Sequence, residues 1–496
     1  MTRSPDQEAP IGSTPVARME SLLAAVDGVV RDAHVQQRFG GLGAAFSAAL
    51  GSWIEPFAVA LREVVPTAHS QDAARAVADL ARLCGEGAGQ AMRSMVGADP
   101  SAGVAGAGAG PDYDALAGSI DDAFRGFWST PEFDRVRRAA AAAVLDWLER
   151  DPAAASEIAR ALDSPPPFGR DALGGSMPPA KPVLRDGNVT LTAFPAAGQS
   201  RASVLASVLV VPGFAADSRL FDLDPERSVV RTLARHGVEA WRLDWGRGDE
   251  TDRRRTVADQ LERIDRVVDA MREAANGRPP ALAGHFHGGL LALLYCLRYP
   301  GKAGALVTVS TPVRFTADDD GFAGWLRACD GERIVDVFGN VPGPLVATLA
   351  AASSPMHWCG GGFFTLLGDP DAAAAARIAR FEEARRFPPA FPGETFRGLY
   401  RALYRDDAFA ADGGAVIDGH RYALAGLDTP LLNVFAREDR IVPPGASTPL
   451  AAWAGAAPES NRAHPGGHHD LLIGGPAHAE LLPGIAAWLV AQARRG

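Results

Sequence analysis

From residue 183 onward the chain alternates two hydrophobic periodicities. Short apolar or β-branched runs, VTLTAF (189–194), SVLVV (207–211), VEAWRLDW (238–245), ALAG (281–284), ALVTVS (305–310) and LLNVF (431–435), read as strands. Between them lie stretches of helical spacing such as 226–236 and 256–275. This alternation predicts an α/β fold with a mostly parallel sheet and helices on both faces. From about 316 to 404 the strand rhythm stops and aromatic and glycine-rich sequence intervenes. An insertion there would form a cap over the carboxyl edge of the sheet, where open α/β sheets hold their sites.

The first third has only the helical period. Met19, Leu22, Leu23, Val26, Val29 and Val30 follow Pro15, with Ser13 or Thr14 as the cap, and further helical runs cover about 42–66 and 71–95. A glycine-rich spacer spans 97–111. Ser129, Pro131 and Glu132 then make a start signal for a helix through about 149, because hydroxyl and carboxylate can satisfy orphan N–H groups reciprocally. The expected organisation is an all-α domain over 1–165, a Pro/Gly linker over 166–182 and an α/β domain over 183–496.

Composition narrows the function. At 496 residues the chain is long enough for more than one core. Lys plus Arg number 49 against 59 for Asp plus Glu, a net charge of −10, and no polybasic tract appears. Nucleic acid and anionic membrane surfaces are therefore not expected partners. No apolar run is long enough to span a bilayer and the N-terminus lacks a signal-peptide pattern, so the expected location is cytoplasmic. Cys84, Cys296, Cys329 and Cys359 have neither CxxC nor CxH spacing and read as free thiols.

The most informative stretch is LAGHFHGGLLALLYC (282–296), which predicts a strand, a tight glycine-framed turn and a helix from Leu290 to Tyr299. Such an elbow exposes a nucleophile at its apex, and Gly284, Gly288 and Gly289 give the room it needs. The apex here is Phe286, which cannot attack an acyl carbon. The N–H of His287 would be one oxyanion donor, and the loop PGFAAD, with Gly213 and Phe214, would supply the second. The side chains of His285 and His287 read as packing or oxyanion-shell groups. Asp439 follows LLNVF and His468 lies in AHPGGHHDLL, the chain order of acid and base in a nucleophile–Asp–His hydrolase. The spacings of His468, His469, Asp470 and the elbow histidines are too unspecific to indicate a metal, and no cofactor is implied. Other nucleophiles lack warrant: Cys296 lies about 15 Å along the helix from the elbow, and Ser218, Ser310 and Thr311 read as turn-capping hydroxyls.

These residues resemble a known family. LFDLDPERSVVRTLARHGVEAWRLDWG, the elbow with LLALLYCLRYP, VTVSTPVRF, FRGLYRALYRDDAF, DTPLLNVFAREDRIVPP and HPGGHHDLL, in that order over about 205–490, are similar to polyhydroxyalkanoate synthases, and within them to class III catalytic subunits. The resemblance implies an α/β-hydrolase fold and transfer of (R)-3-hydroxyacyl groups from CoA thioesters through a cysteine to a polyester hydroxyl. It assigns His468 as the base and Asp439 as the carboxylate associated with hydroxyl activation, and it places Phe286 at the cysteine's position. It also implies a separate helical partner subunit, whose role or another docking role the fused helical segment here would fill. Self-association and a synthase-like partner both stay open.

The expected activity is acyl transfer or hydrolysis on a (3-hydroxy)acyl thioester or ester, carried by CoA or a carrier protein, with His468 and Asp439 as a general-base pair and no thiol intermediate. The alternative is a catalytically inactive, synthase-like protein that docks on a partner enzyme.

Overall fold

The computed structural model describes residues 121, 125, 129–163, 182–196, 204, 206–214, 216–317, 321–354 and 372–495. The helical runs expected before residue 97, the spacer 97–111, Cys84, Cys359 and nearly all of the linker lie outside them. The described residues fall into two units, one ending at Leu162 and one beginning at Asp163.

In the first unit, α1 (Pro131–Arg150) buries Phe133, Leu145, Trp147 and Leu148, and α2 (Pro152–Asp163) follows after Asp151. The cap of α1 is Thr130, one residue later than expected: its hydroxyl accepts the N–H of Phe133 at 3.3 Å. Extended backbone at Thr130 (φ −70, ψ 139) turns that hydroxyl toward the helix, which leaves Ser129 outside it.

In the second unit, eight strands form one sheet in the order β1-β2-β4-β3-β5-β6-β9-β10. They are β1 (Pro182–Asp186), β2 (Val189–Phe194), β3 (Ala206–Val211), β4 (Val238–Asp244), β5 (Ala281–His285), β6 (Ala305–Val309), β9 (Leu431–Ala436) and β10 (Asn461–His464), with β7 (Gly414–Ile417) and β8 (His420–Ala423) pairing apart. β1/β2 and β2/β4 are antiparallel, and every other pair in the large sheet is parallel. The central strands are covered on both faces, so β3 and β6 read as continuous apolar runs rather than alternating ones.

Helices supply the cover. α3 (Val229–Arg235) starts three residues later than the 226 expected, because Asp224 folds the preceding segment into a turn by accepting the N–H groups of Glu226 and Arg227. Ser228 then caps it. α4 (Val257–Ala274) starts at a capping box made by Thr256 and Asp259, and buries Val257, Leu261, Ile264, Val268 and Met271 along one stripe. α5 (His287–Arg298) begins three residues earlier than the Leu290 expected. It is buried all round, with Leu290 to Tyr295 showing no exposure.

Between β6 and β9 the chain leaves the sheet. α6 (Phe322–Ala328), α7 (Gly331–Phe338), α8 (Gly343–Ser353), α9 (Ala372–Arg386) and α10 (Gly393–Leu399) follow, and α10 runs into a π-helical stretch, Tyr400–Arg405. The excursion continues past 404 through the β7–β8 hairpin, whose turn places Asp418 (φ 51) and Gly419 (φ 76) in left-handed conformations. That Asp-Gly pair is a type I′ hairpin signal in the sequence. α11 (Leu482–Ala493) closes the chain against α3 and the sheet.

The start of α5 packs backbone to backbone against the end of β3. A Cβ on Gly288 would lie 2.0 Å from the carbonyl oxygen of Val211 and 2.7 Å from the carbonyl carbon of Pro212. Both are backbone atoms that cannot swing aside, so Gly288→Ala is expected to cost about 3 kcal/mol of stability. Urea denaturation of the two proteins measures this, and a loss below about 1 kcal/mol would show that α5 can slide away from β3.

Candidate active site

Five loops leave the carboxyl ends of neighbouring parallel strands and meet over the middle of the sheet, the place where such sheets hold ligands. β5 ends at the elbow. Phe286 takes φ 53 and ψ −120, a region in which a bulky residue costs about 1 to 3 kcal/mol. Its N–H is held by the carbonyl of Val309 at 2.9 Å. Flanking side chains would collide here: a Cβ on Gly284 would sit 2.3 Å from Gly288 backbone, and one on Gly289 would sit 1.8 Å from Thr311 Oγ1.

The loop after β3 abuts the elbow. A Cβ on Gly213 would lie 3.1 Å from the Cβ of His287. Phe214 packs on Trp245 and Phe391 at 4.6 and 5.0 Å between ring centroids, and Trp245 Nε1 donates to the Pro212 carbonyl at 2.8 Å, fixing the loop. The N–H of His287 lies in the first turn of α5 and so has no intrahelical acceptor.

Asp439, after β9, and His468, after β10, meet at the same edge. His468 Nδ1 donates to Asp439 Oδ2 at 2.8 Å, and both residues are buried. Ser310 Oγ donates to the same Oδ2 at 2.6 Å, while Oδ1 accepts the N–H groups of Ile441 at 3.0 Å and Val442 at 2.8 Å. The bond to the carboxylate puts the ring proton on Nδ1 and leaves Nε2 as the basic nitrogen. That nitrogen has no hydrogen-bond partner among the described residues. Ser310, which reads in sequence as a turn hydroxyl, is thus a third member of the array. It stands at φ 42 at the end of β6, the kind of strained residue that concentrates at functional sites.

Phe286 lies between two imidazoles. Its ring is edge-on to His468 at 5.4 Å and overlies His287 at 4.0 Å, with Phe322 at 5.6 Å. The cavity beside it, lined by Phe286, Phe315, Phe322, Tyr404 and Val442, has a volume of about 20 Å³, room for one water.

Burial disfavours the charged form of the three other histidines around the seat, His285, His287 and His469. His285 Nε2 donates to the carbonyl of His468 at 3.3 Å, supporting that loop from beneath, and burial holds its pKa well below the ordinary value. His287 is pushed down to about 3 by burial and, secondarily, by His468. Its Nε2 pairs with the hydroxyl of Tyr404 at 2.6 Å, while its Nδ1 is buried without a partner. His469 packs edge-on against Phe381 of α9 at 5.2 Å and against His468 at 5.1 Å.

Alternative nucleophiles are otherwise engaged. Burial pushes the Cys296 thiol up to about 12. Ser218 Oγ donates to Asp244 and Thr311 Oγ1 to the Val309 carbonyl. Among the described residues, no group of three or more His, Cys, Asp or Glu gathers to hold a metal, and no helix is long and apolar enough to cross a membrane.

Residues 206–475 match the alpha/beta hydrolase fold family. The poly(3-hydroxyalkanoate) polymerase subunit PhaC of Allochromatium vinosum is 34% identical over 272 residues, 54% of this chain and 76% of that one. The PhaC subunit of Thiocystis violacea is 32% identical over the same shares. The chain belongs to the PhaC-like family of alpha/beta hydrolases. A solved monoacylglycerol lipase of Paleococcus ferrophilus covers 61% of this PhaC-like chain and 99% of its own, at 17% identity and a TM-score of 0.39.

The buried histidines are expected to make this PhaC-like protein acid-sensitive. The folded pKa of His287, about 3, lies below its unfolded value of 6.5, so the unfolded chain binds the extra proton first. The stability this contributes is complete above pH 6.5 and is lost as pH falls toward 3, at about 1.4 kcal/mol per pH unit. Urea midpoints should therefore fall between pH 7.5 and 5, and His287→Asn should make that fall shallower by about one proton. An unchanged slope in the variant would show that His287 is not held neutral.

Proposed function

We propose that the protein transfers or hydrolyses acyl groups of (3-hydroxy)acyl thioesters or esters without an acyl-enzyme intermediate. In this reading His468 is the general base, Asp439 orients it, and Phe286 stands where the family's thiol nucleophile would stand. The observation that carries it is the buried Ser310–Asp439–His468 array, which leaves Nε2 unpaired and faces the apex of the elbow. A protein that only bound a partner would have no chemical need for a carboxylate and imidazole aligned in this way.

The chemistry follows from the groups present. Water or an alcohol gives its proton to His468 Nε2 as its oxygen bonds to the acyl carbon. Charge on the carbonyl oxygen is met by the His287 N–H and by an N–H of the Gly213–Phe214 loop. When the tetrahedral adduct collapses, the C–S bond breaks and the imidazolium returns its proton to the departing thiolate. Asp439 stabilises the transient imidazolium. A positioned base of this kind supplies roughly 10² to 10⁴-fold in rate. The phenyl ring fills the space a thiol would leave open, so the acyl group must displace it to reach Nε2.

The intact chain, incubated with 3-hydroxyacyl-CoA and plain acyl-CoA, should release free CoA with no gain in protein mass. His468→Ala should lower that rate by about 10² or more. Phe286→Cys should gain one acyl adduct, since the array that would activate a thiol is already in place. A persistent adduct on the unaltered protein would overturn the non-covalent route. No turnover together with tight binding to a partner enzyme would mark the protein as non-catalytic.

A further inference from the structure

The two polar side chains behind the Phe286 ring have no part in the chemistry above, which uses only the main-chain N–H of His287. His287 Nε2 and the Tyr404 hydroxyl lie 2.6 Å apart, both fully enclosed, across a sequence separation of 117 residues. Tyr404 is delivered by the π-helical stretch Tyr400–Arg405, and interruptions of that kind recur at functional sites. Burial raises its pKa, so the hydroxyl keeps its proton. Its only side-chain hydrogen bond among the described residues is to His287, so O–H donates to Nε2 and the ring proton of the neutral imidazole sits on Nδ1. Nδ1 is buried and has no acceptor.

A buried N–H without a partner is an uncommon arrangement that a ligand oxygen would relieve. The same residue offers its backbone N–H at the elbow, so His287 presents two donors close together. A 3-hydroxyacyl group presents two acceptors close together, its carbonyl oxygen and its β-hydroxyl. The small cavity is lined by Phe286 and Tyr404 but not by His287, so an acyl chain entering there would reach the imidazole only once the phenyl ring, 4.0 Å from it, rotates away.

We infer that His287 Nδ1–H is a specificity-determining donor for an oxygen on the acyl chain, the β-hydroxyl of a 3-hydroxyacyl group, and that Tyr404 is the positioning residue that fixes its tautomer. This rests on the acyl-group reading above and adds to it the feature by which hydroxylated and plain acyl chains are told apart. A site built to bond a hydroxyl discriminates strongly against the analogue that lacks it.

The test uses the full chain and ketone analogues of 3-hydroxybutyryl-CoA and butyryl-CoA in which a methylene replaces the thioester sulfur, so that binding is measured without turnover. The unaltered protein should bind the hydroxylated analogue about tenfold or more tightly over the plain one. Tyr404→Phe should reduce that ratio several-fold, with little change in binding of the plain analogue. His287→Asn, whose amide nitrogen lies near the position of Nδ1, should keep most of the discrimination, whereas His287→Gln, whose amide reaches toward Nε2, should lose it. A merely structural role would affect both analogues alike. Equal binding of the two analogues by the unaltered protein, or a ratio unmoved in Tyr404→Phe and His287→Gln, overturns this inference and leaves the acyl-group reading standing. Binding of neither analogue overturns both.

Discussion

Bare backbone contact between the elbow and its neighbours sets everything else in the site. With no Cβ at Gly284, Gly288 and Gly289, α5 can press its first turn against the ends of β3, β5 and β6. That closeness forces the sharp reversal at Phe286, aims the N–H of His287 outward, and brings the Gly213 loop against the same turn. The apex geometry is thus fixed by backbone packing, independently of which side chain stands there. A phenyl group can occupy the seat because the surrounding contacts hold its φ of 53 against the intrinsic preference of the residue.

Around that seat the molecule places two polar assemblies with different electrostatic characters. On one side Ser310, Asp439 and His468 form a chain ending in an unpaired basic nitrogen. On the other, His287 and Tyr404 form a pair from which charge is excluded by burial. The phenyl ring separates them and contacts both imidazoles. His285 completes the arrangement from below by binding the main chain of His468, which ties the loop after β10 to the strand that carries the elbow.

Much of this was legible in the sequence because it is written locally. Strands buried on both faces appear as unbroken apolar runs, the elbow appears as glycines at fixed offsets, and Asp439, behind an apolar strand, and then His468 come in a recognisable chain order. What was not legible depends on distance along the chain. Ser310 meets Asp439 across 129 residues and Tyr404 meets His287 across 117, and no local pattern distinguishes either from an ordinary turn hydroxyl or core aromatic. The β7–β8 hairpin is a different case, since its Asp418-Gly419 turn was readable. The shifts at Thr130 and Ser228 come from which of two adjacent hydroxyls, or which side of an Asp turn, captures the first free N–H.

The bonding around Asp439 has a consequence for how an acceptor alcohol could be activated. A carboxylate offers about four lone-pair directions, and here each is taken: two by main-chain amides, one by a serine hydroxyl and one by an imidazole. No valence remains for an incoming hydroxyl. On the reading proposed above, the carboxylate would act as a clamp, and an entering nucleophile would give its proton to the ring at 468. Selection between water and alcohol would then rest on the shape of the space left when the phenyl ring is displaced, not on a second base.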